Sequence, residues 1–449
     1  MFKKIEIWIL YLVLLFSIPL TIFYGFLLRH ELLGSTKYGQ FSKTALFLAE
    51  IPSNLMKVFE SDLTLNDRFP MLDGFNGTPN SNETYLLLSK YDGDLKEGVV
   101  ELVDLTNFEV LHTWNPDINS LNKPFEDDFE FRYLNRDKNN GRTALRSPLL
   151  LNNGNLVFHH SSPLRIINAC SNLVFQNSKD RFHHSIEKDI DGNIWVPSYI
   201  YPQTLPIKKV GNLLIEDGGF VEDGIVKLSP DGKILFEKSL TQIFIDNGLS
   251  YLLFGLGSYE KDPTHLNDIQ PVNFDGDFWK KGDIFLSIRN QSMIILYRPS
   301  SNEIIWKGTG PFFEQHDVDI LDGQRISVFN NRVINLFNRK AVNGNNEVII
   351  YNFRTGKYSS YLDKSFNKYD VRTKSQGTSQ ILPNGDMLIE ESNFGRTLYF
   401  NVDGSLKWSH YNRAKNGNVF SVNWSRILYE KNDINKVKNL LKLSSKCNL

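Results

Sequence analysis

The 449-residue sequence predicts an all-β fold, a six-bladed β-propeller preceded by an N-terminal transmembrane helix and a short helical stalk. Three observations carry this prediction. From Asn82 to Tyr411, short runs of β-branched and aromatic residues recur between Gly, Asn and Asp turns, in an irregular unit of roughly 40–60 residues. Six such units can be written, each with several short strands and few helical patterns, which suits a propeller better than a sandwich or an eight-stranded barrel. Three successive units also open on a histidine. His184 precedes the Ile194-Trp195-Val196 run, His265 precedes Ile284-Phe285-Leu286, and His316 heads the alternating Val318 and Ile320. If these positions begin the innermost strands of their blades, all three histidines face one central channel.

Taken in order, the chain begins with Ile5 to Leu28, an apolar run of about 24 residues broken only by Glu6 near its edge. That is long enough to cross a hydrocarbon core of roughly 30 Å. No small-x-small cleavage site is clear, so the run reads as an uncleaved single-pass anchor within residues 1–30. Lys3 and Lys4 lean towards a cytoplasmic N-terminus, a bias diluted by Arg29, Lys37 and Lys43 on the other side. Residues 31–81 form a stalk or linker. Ala45, Leu46, Leu48, Leu55, Met56 and Val58, interrupted by Pro52, predict a pair of short helices that cover the channel mouth or meet the membrane. Gly, Pro, Asn and Asp between Phe69 and Glu83 mark the boundary, and the propeller follows over residues 82–411.

The first unit contributes Tyr85-Leu86-Leu87-Leu88, Val99 to Val103 and Glu109 to Trp114. The second takes Leu149 to Phe158 and Ile166 to Phe175; the third opens at His184 and closes at Gly224 to Phe236. The fourth runs from His265 to Trp306, the fifth from His316 to Tyr361, and the sixth from Ser379 to Trp408. Residues 412–449 form a C-terminal extension in which Asn432 to Leu443 reads as a short amphipathic packing helix.

Composition excludes several classes of function. A formal charge of -1 with no basic cluster argues against nucleic-acid binding. No GxGxxG, Walker or HExxH pattern occurs, and pairs such as Asp191-Gly192 and Asp231-Gly232 are hairpin turns rather than calcium loops. No metal-ligand spacing is found. The two cysteines, Cys170 and Cys447, can make at most one disulfide, which leaves the redox compartment open. His159 and His160 read as structural, and Trp195, Trp306 and Trp408 as inter-blade core.

From Ser147 to Tyr411 the chain resembles the bacterial arylsulfotransferases, six-bladed propellers that move a sulfuryl group between phenols through a sulfated histidine. The residues that carry the resemblance are His183-His184, His265-Leu266-Asn267, Ile288 to Ser292, Gln315-His316, Ile326 to Asn331 and Gln380 to Asp386. It implies that His316 takes the place of the nucleophile, with Arg289 at the arginine that holds sulfate oxygens. His265 and Asn267 match the polar pair of the same pocket, and His184 an earlier histidine that contacts the sulfate. Two departures stand out. Asn290 occupies the position where active members often carry a histidine, and the β-rich domain through which some members dimerise is replaced by the anchor and stalk.

The chemistry has physical reasons for such a set. A neutral imidazole is a nucleophile near neutral pH, and a planar guanidinium meets the charge on sulfuryl oxygens. His184 or His265 can exchange the phenol proton. In a strand, residues two apart share a face, so His265 pairs with Asn267 and Arg289 with Gln291 as a substrate-binding side. The resulting expectation is a membrane-anchored enzyme with its propeller on the periplasmic or extracytoplasmic side. It would use an aryl sulfate donor, a phenolic acceptor and no metal or nucleotide cofactor. The alternative is a non-catalytic propeller that binds an anionic ligand or a protein partner in the same channel. A quinone-dependent dehydrogenase is a weaker third, since tryptophan-rich blade repeats and a carboxylate metal set are missing from the sequence.

Overall fold

The computed structural model describes residues 6–32, 36–59, 63–125, 139–160, 162–177, 180–201, 203–204, 209–210, 213–214, 220–255, 257, 260–336 and 339–447. They fall into two compact units, Met1–Leu63 and Thr64–Leu449.

The first unit is helical. Ile7–Leu32 forms one helix of 26 residues, about 39 Å long at 1.5 Å per residue and so long enough to cross a membrane. Its apolar window has a mean hydropathy of 2.2. The expected flanking residues Lys3, Lys4 and Ile5 lie outside the described residues. After a short turn at Thr36–Tyr38 the chain forms a second helix, Gly39–Phe59. This corrects the expected pair of short helices. Pro52 lies inside one continuous helix, because a proline removes a single backbone donor while the turns on either side keep their own bonds. The side chains of Leu55, Met56 and Val58 lie outside the described residues. The Tyr24 hydroxyl donates to the Ala45 carbonyl at 2.9 Å and the Ser42 hydroxyl to Glu31 at 2.5 Å, tying the two helices together.

The second unit is the six-bladed propeller. Among the described residues, blades 2 to 5 are antiparallel sheets whose strands follow chain order from the axis outwards. Their inner strands are Arg146–Leu150 in blade 2, Glu187–Lys188 with Arg181–Phe182 in blade 3, Leu266–Pro271 in blade 4 and His316–Ile320 in blade 5. Thr378–Ile381 is the inner strand of blade 6. Blade 1 is different: its inner strand is Arg426–Leu428, which pairs with Tyr85–Asp92 in the register Leu86 to Ile427. Gly74–Gly77 adds a fifth, outermost strand to blade 6 beside Leu406–Tyr411. The expected limits 82–411 therefore leave out two strands that the sheets contain. The physical reason is ring closure: the first blade has no strand of its own ahead of Tyr85, and the chain that returns after blade 6 supplies it.

Each interface between blades is one apolar cluster. Leu149, Val157, Ile194 and Val226 join blades 2 and 3; Trp195, Leu266 and Ile295 join blades 3 and 4; Leu86, Leu388 and Trp408 join blades 6 and 1. A C-terminal helix, Lys431–Ser444, presses Val437 and Leu440 onto the cluster between blades 1 and 2, and a Cys170–Cys447 disulfide pins its end to blade 2.

At the axis, every blade enters its inner strand through a non-glycine residue in the left-handed region: Ser147, His184, His265, Asp317, Gln376 and Trp424, with φ between 48° and 64°. Such a conformation costs about 1–2 kcal/mol for an L-residue. It is held here by hydrogen bonds that run from blade to blade. The Ser147 N–H donates to Asn423 O and its hydroxyl to His184 O; Ile269 N–H donates to Ser185, Val318 N–H to Asp268, Ser379 N–H to Asp317 and Ile427 N–H to Gln380. Ser185, Asp268 and Asp317 thus do the same task in three consecutive blades. The closing strand is the link on which this ring depends. Ile427, 2% exposed, is expected on truncation to Ala to cost about 2–4 kcal/mol, read as a lowered denaturant midpoint with an unchanged slope.

Candidate functional site

The inner strands of blades 3, 4 and 5 bring three histidine rings together at the axis. The centre of the His184 ring lies 5.0 Å from that of His265 and 6.2 Å from that of His316. The Trp424 indole closes the group, 6.4 Å from His184 and 6.5 Å from His316.

His316 is 1% exposed. Its Nδ1 lies 2.7 Å from Asn331 Oδ1 and 3.2 Å from Glu314 O. The Asn331 amide nitrogen donates to the carbonyls of Gln376 at 2.8 Å and Thr373 at 3.2 Å, which turns its oxygen towards the ring. Both neighbours of Nδ1 are acceptors, so the proton sits on Nδ1 and the lone pair on Nε2, where the Gln376 N–H donates at 3.2 Å. Burial, and after it the Arg289 charge, push the imidazole down to about 3, so it is neutral across the physiological range.

Arg289 lies in a tight 3-10 turn, Arg289–Gln291, that follows the second strand of blade 4. Its guanidinium donates to Glu314 at 2.6 Å, while its Nε is buried without a hydrogen-bond partner. Glu314 also receives Lys340 at 2.9 Å and Asn335 at 2.6 Å, both carried by the Val333–Leu336 and Arg339–Val342 hairpin that blade 5 inserts. Burial works against the Glu314 carboxylate, but these donors and the Arg289 charge outweigh it and hold the group ionised.

The turn also corrects the expected pairing of Arg289 with Gln291. At three residues per turn, positions two apart point in different directions. The Gln291 amide is spent on the carbonyls of Leu252 at 2.9 Å and Pro263 at 2.7 Å, outside the histidine group. His265 and Asn267 do not alternate as in a regular strand either: His265 is left-handed and the register shifts between Leu266 and Asp268. Asn267 is fully buried, donates to Gln315 O at 2.7 Å and keeps its Oδ1 without a hydrogen-bond partner.

Sequence reading missed the groups that orient the rings. Asp262 takes the His265 Nδ1–H at 2.6 Å and the His265 backbone N–H at 3.1 Å. The signal was an Asp three residues ahead of the histidine with a proline between, a local turn in which a carboxylate folds back on the chain. His159, expected to be structural, has its Nε2 3.1 Å from the His184 carbonyl. Trp424 lies beyond Tyr411, where the strand repeat in the sequence stops, and just ahead of the closing strand Arg426–Leu428.

Trp424 also borders an axial cavity of about 290 Å³, lined among others by Glu187, Asp317, Asp319, Gln380 and Arg426. Arg426 pairs with Glu187 at 3.1 Å. Burial, then the charges of Glu187 and Asp268, raise Asp319 to about 8, and burial with Glu187 raises Asp268 to about 7.

Three comparisons bear on the chain. A family model described as Arylsulfotransferase (ASST) matches residues 147–413, more than half of the chain. None of the curated proteins matches it. Similar solved structures include a protein of unknown function from Bacteroides caccae, 12% identical, covering 73% of this chain and 94% of that one with a TM-score of 0.42. A streptogramin B lyase is 10% identical over 79% of this chain and 96% of that one, with a TM-score of 0.37. A catalytically inactive virginiamycin B lyase from Staphylococcus aureus is 8% identical over 74% and 87%, with a TM-score of 0.36.

The raised carboxylates make stability depend on pH with a definite sign. Folded Asp319 holds its proton up to about pH 8 while the unfolded group loses it near 3.8, so its burial weakens the fold progressively as pH rises through that interval. Asp319→Asn is expected to raise the melting temperature by a few degrees at pH 8.5 and by clearly less at pH 5, as followed by thermal unfolding at the two pH values.

Proposed function

The chain belongs to the arylsulfotransferase family, and from that premise we propose that it transfers a sulfuryl group from an aryl sulfate to a phenolic acceptor through a sulfated His316. The observation that carries this reading is the fixed tautomer of His316: Asn331 holds the proton on Nδ1 and leaves the lone pair on Nε2, where the Gln376 N–H gives way to the donor sulfur. In the first half-reaction Nε2 attacks sulfur and the bond from sulfur to the aryl oxygen breaks. The electron pair leaves on the phenolate oxygen, which takes a proton from the imidazolium form of His184 or His265, charged from solvent or by the acceptor of the previous turnover. In the second, the acceptor phenol gives its proton to one of these imidazoles as its oxygen attacks the sulfuryl group, and the bond from sulfur to His316 Nε2 breaks with its electron pair returning to Nε2. Arg289, with its unpartnered Nε, and the second N–H of the Asn267 amide, whose first goes to Gln315 O, are assigned to the sulfuryl oxygens, where charge is carried through the reaction.

The helix Ile7–Leu32 is proposed as the membrane anchor and the propeller as extracytoplasmic, in the periplasm of a two-membrane cell. The Cys170–Cys447 bridge supports that side, since disulfides persist in oxidising compartments. Full-length chain that resists extraction by alkaline wash supports anchoring; release of the intact chain contradicts it.

The transfer is tested with the full chain in detergent, incubated with 4-nitrophenyl sulfate and no acceptor. Mass spectrometry is expected to find a sulfuryl adduct on His316 that is absent from His316→Asn, and Arg289→Met is expected to lower kcat/KM by about 10²–10³. Because His316 titrates near 3, it stays neutral at and above pH 5, and adduct formation from this donor, whose phenolate leaves without a proton, is expected to be level from pH 5 to 8. No adduct and no phenol release across several aryl sulfates would instead favour a propeller that binds an anionic ligand or partner without turning it over.

A further inference from the structure

Behind His184 stand two side chains that the reaction as written does not use. His183, 2% exposed, and Asp223, fully buried, face each other with His183 Nε2 3.5 Å from Asp223 Oδ1. Each of these two atoms is buried with no hydrogen-bond partner, so this approach is the polar contact open to both. Asp223 is aimed by its second oxygen, which accepts the Thr264 hydroxyl at 2.6 Å and the Leu266 N–H at 2.8 Å. His183 is held flat by stacking on Tyr199, ring centres 4.0 Å apart, and by its N–H bond to Pro197 O. On its far side His183 Nδ1 lies 2.7 Å from His184 Nδ1. A break in the inner strand of blade 3, between Arg181–Phe182 and Glu187–Lys188, lets two adjacent histidines serve the same point.

Resting on the sulfuryl-transfer reading, we propose that Asp223, His183 and His184 form a buried relay that makes His184 the group exchanging the phenol proton, with Asp223 and His183 as positioning residues. The direction follows from the partners. A carboxylate accepts only, so His183 carries its proton on Nε2 and offers the lone pair of Nδ1. His184 then places its own proton on Nδ1, donates it to His183, and keeps a lone pair on Nε2 for the phenol. When Nε2 takes the acceptor's proton, the positive charge on His184 is shared through its Nδ1–H bond with His183 and balanced by Asp223. In the donor half-reaction the phenolate leaves with a proton that Nε2 carries over from a preceding acceptor, or takes from solvent in enzyme that starts without substrate, and His184 returns to its neutral Nδ1–H form.

The charge balance around the relay supports it. Burial, then the charges of His183, His265, His316 and Arg146, push the His184 imidazole down, and burial lowers His183 against the pull of Asp223, with His265 and Arg181 adding to the fall. His159 faces the same group. Asp223 is the one carboxylate that acts on His183 from this set, and so it is the residue whose loss should be read in proton transfer.

Asp223→Asn puts an amide N–H against His183 Nε2 and reverses both tautomers; His183→Phe keeps the stack on Tyr199 and removes both nitrogens. With phenyl sulfate, whose leaving group needs a proton, each variant is expected to lose about 10²–10⁴ in rate. With 4-nitrophenyl sulfate the loss is expected to be less than about 5-fold. Equal losses on both donors, or none on either, overturn the relay. The imidazole ¹⁵N shifts of the full-length protein without substrate give an independent reading: the proposal requires His184 as the Nδ1–H tautomer in the native chain and not in Asp223→Asn, and the opposite tautomer in the native chain refutes it. Failure of sulfuryl transfer itself is recognised separately, as the lack of any His316 adduct in the unaltered protein, and leaves the ¹⁵N result to decide on the relay.

Discussion

The ring of hydrogen bonds around the axis is the constraint on which the rest of this structure depends. Each link joins the start of one inner strand to the start of the next, and the last one, Gln380 to Ile427, exists only because the chain returns after blade 6 to give blade 1 its inner strand. Apolar clusters between blades supply most of the stabilisation, but they are tolerant of small shifts. The axial bonds are directional and fix how far each inner strand reaches. They also explain why six non-glycine residues tolerate a left-handed backbone there. For His184, the carbonyl is held by the Ser147 hydroxyl and faced by His159 Nε2, so its backbone has little choice.

Only the beginnings of inner strands approach one another in such a ring, so a site on the axis has to be collected from positions far apart in the chain. That is why the sequence could be read for its architecture and for the histidines that converge. The strand periodicity of each unit and the repeated histidine at its head survive as local patterns. What stayed hidden follows from the same geometry. The sheet rule that placed Arg289 beside Gln291 fails because a 3-10 turn follows the strand, and the rule for His265 and Asn267 fails at a bulge. Asp223 belongs to another strand of blade 3 and Asn331 to the end of the second strand of blade 5; no spacing in sequence announces a partner across a sheet. Blade 1 did leave a trace, since its unit shows three strand runs where a blade takes four.

Charge is distributed along the axis in a way that keeps the His316 imidazole neutral. His316 is kept neutral by burial and by Arg289, and Arg289 is itself held by Glu314, which Lys340 shares from the inserted hairpin. An uncompensated guanidinium so deep in the fold would be costly. One carboxylate between two cations meets part of that cost and leaves the Arg289 Nε as an unspent donor. Across Trp424 the cavity combines the Arg426–Glu187 ion pair with Asp317 and Asp319, whose carboxyl groups are raised by burial, so that side of the axis stays close to neutral both by pairing and by holding protons.

Asn290 shows how a departure from the family pattern can be absorbed. In the family that the chain resembles, a histidine often follows the arginine. Here the Asn290 amide donates at 2.6 Å to the carbonyl of Asp262, and its backbone N–H donates to Thr264 O. Both bonds fall on the turn whose carboxylate orients His265. Asn290 thus supports its neighbour: it braces the Asp262 turn that stands behind the His265 ring. Arg289 is fastened to the same turn by its own N–H bond to His265 O at 3.2 Å. The guanidinium and His265 are therefore coupled through a single short loop, and a change at Asn290 acts on both through the backbone.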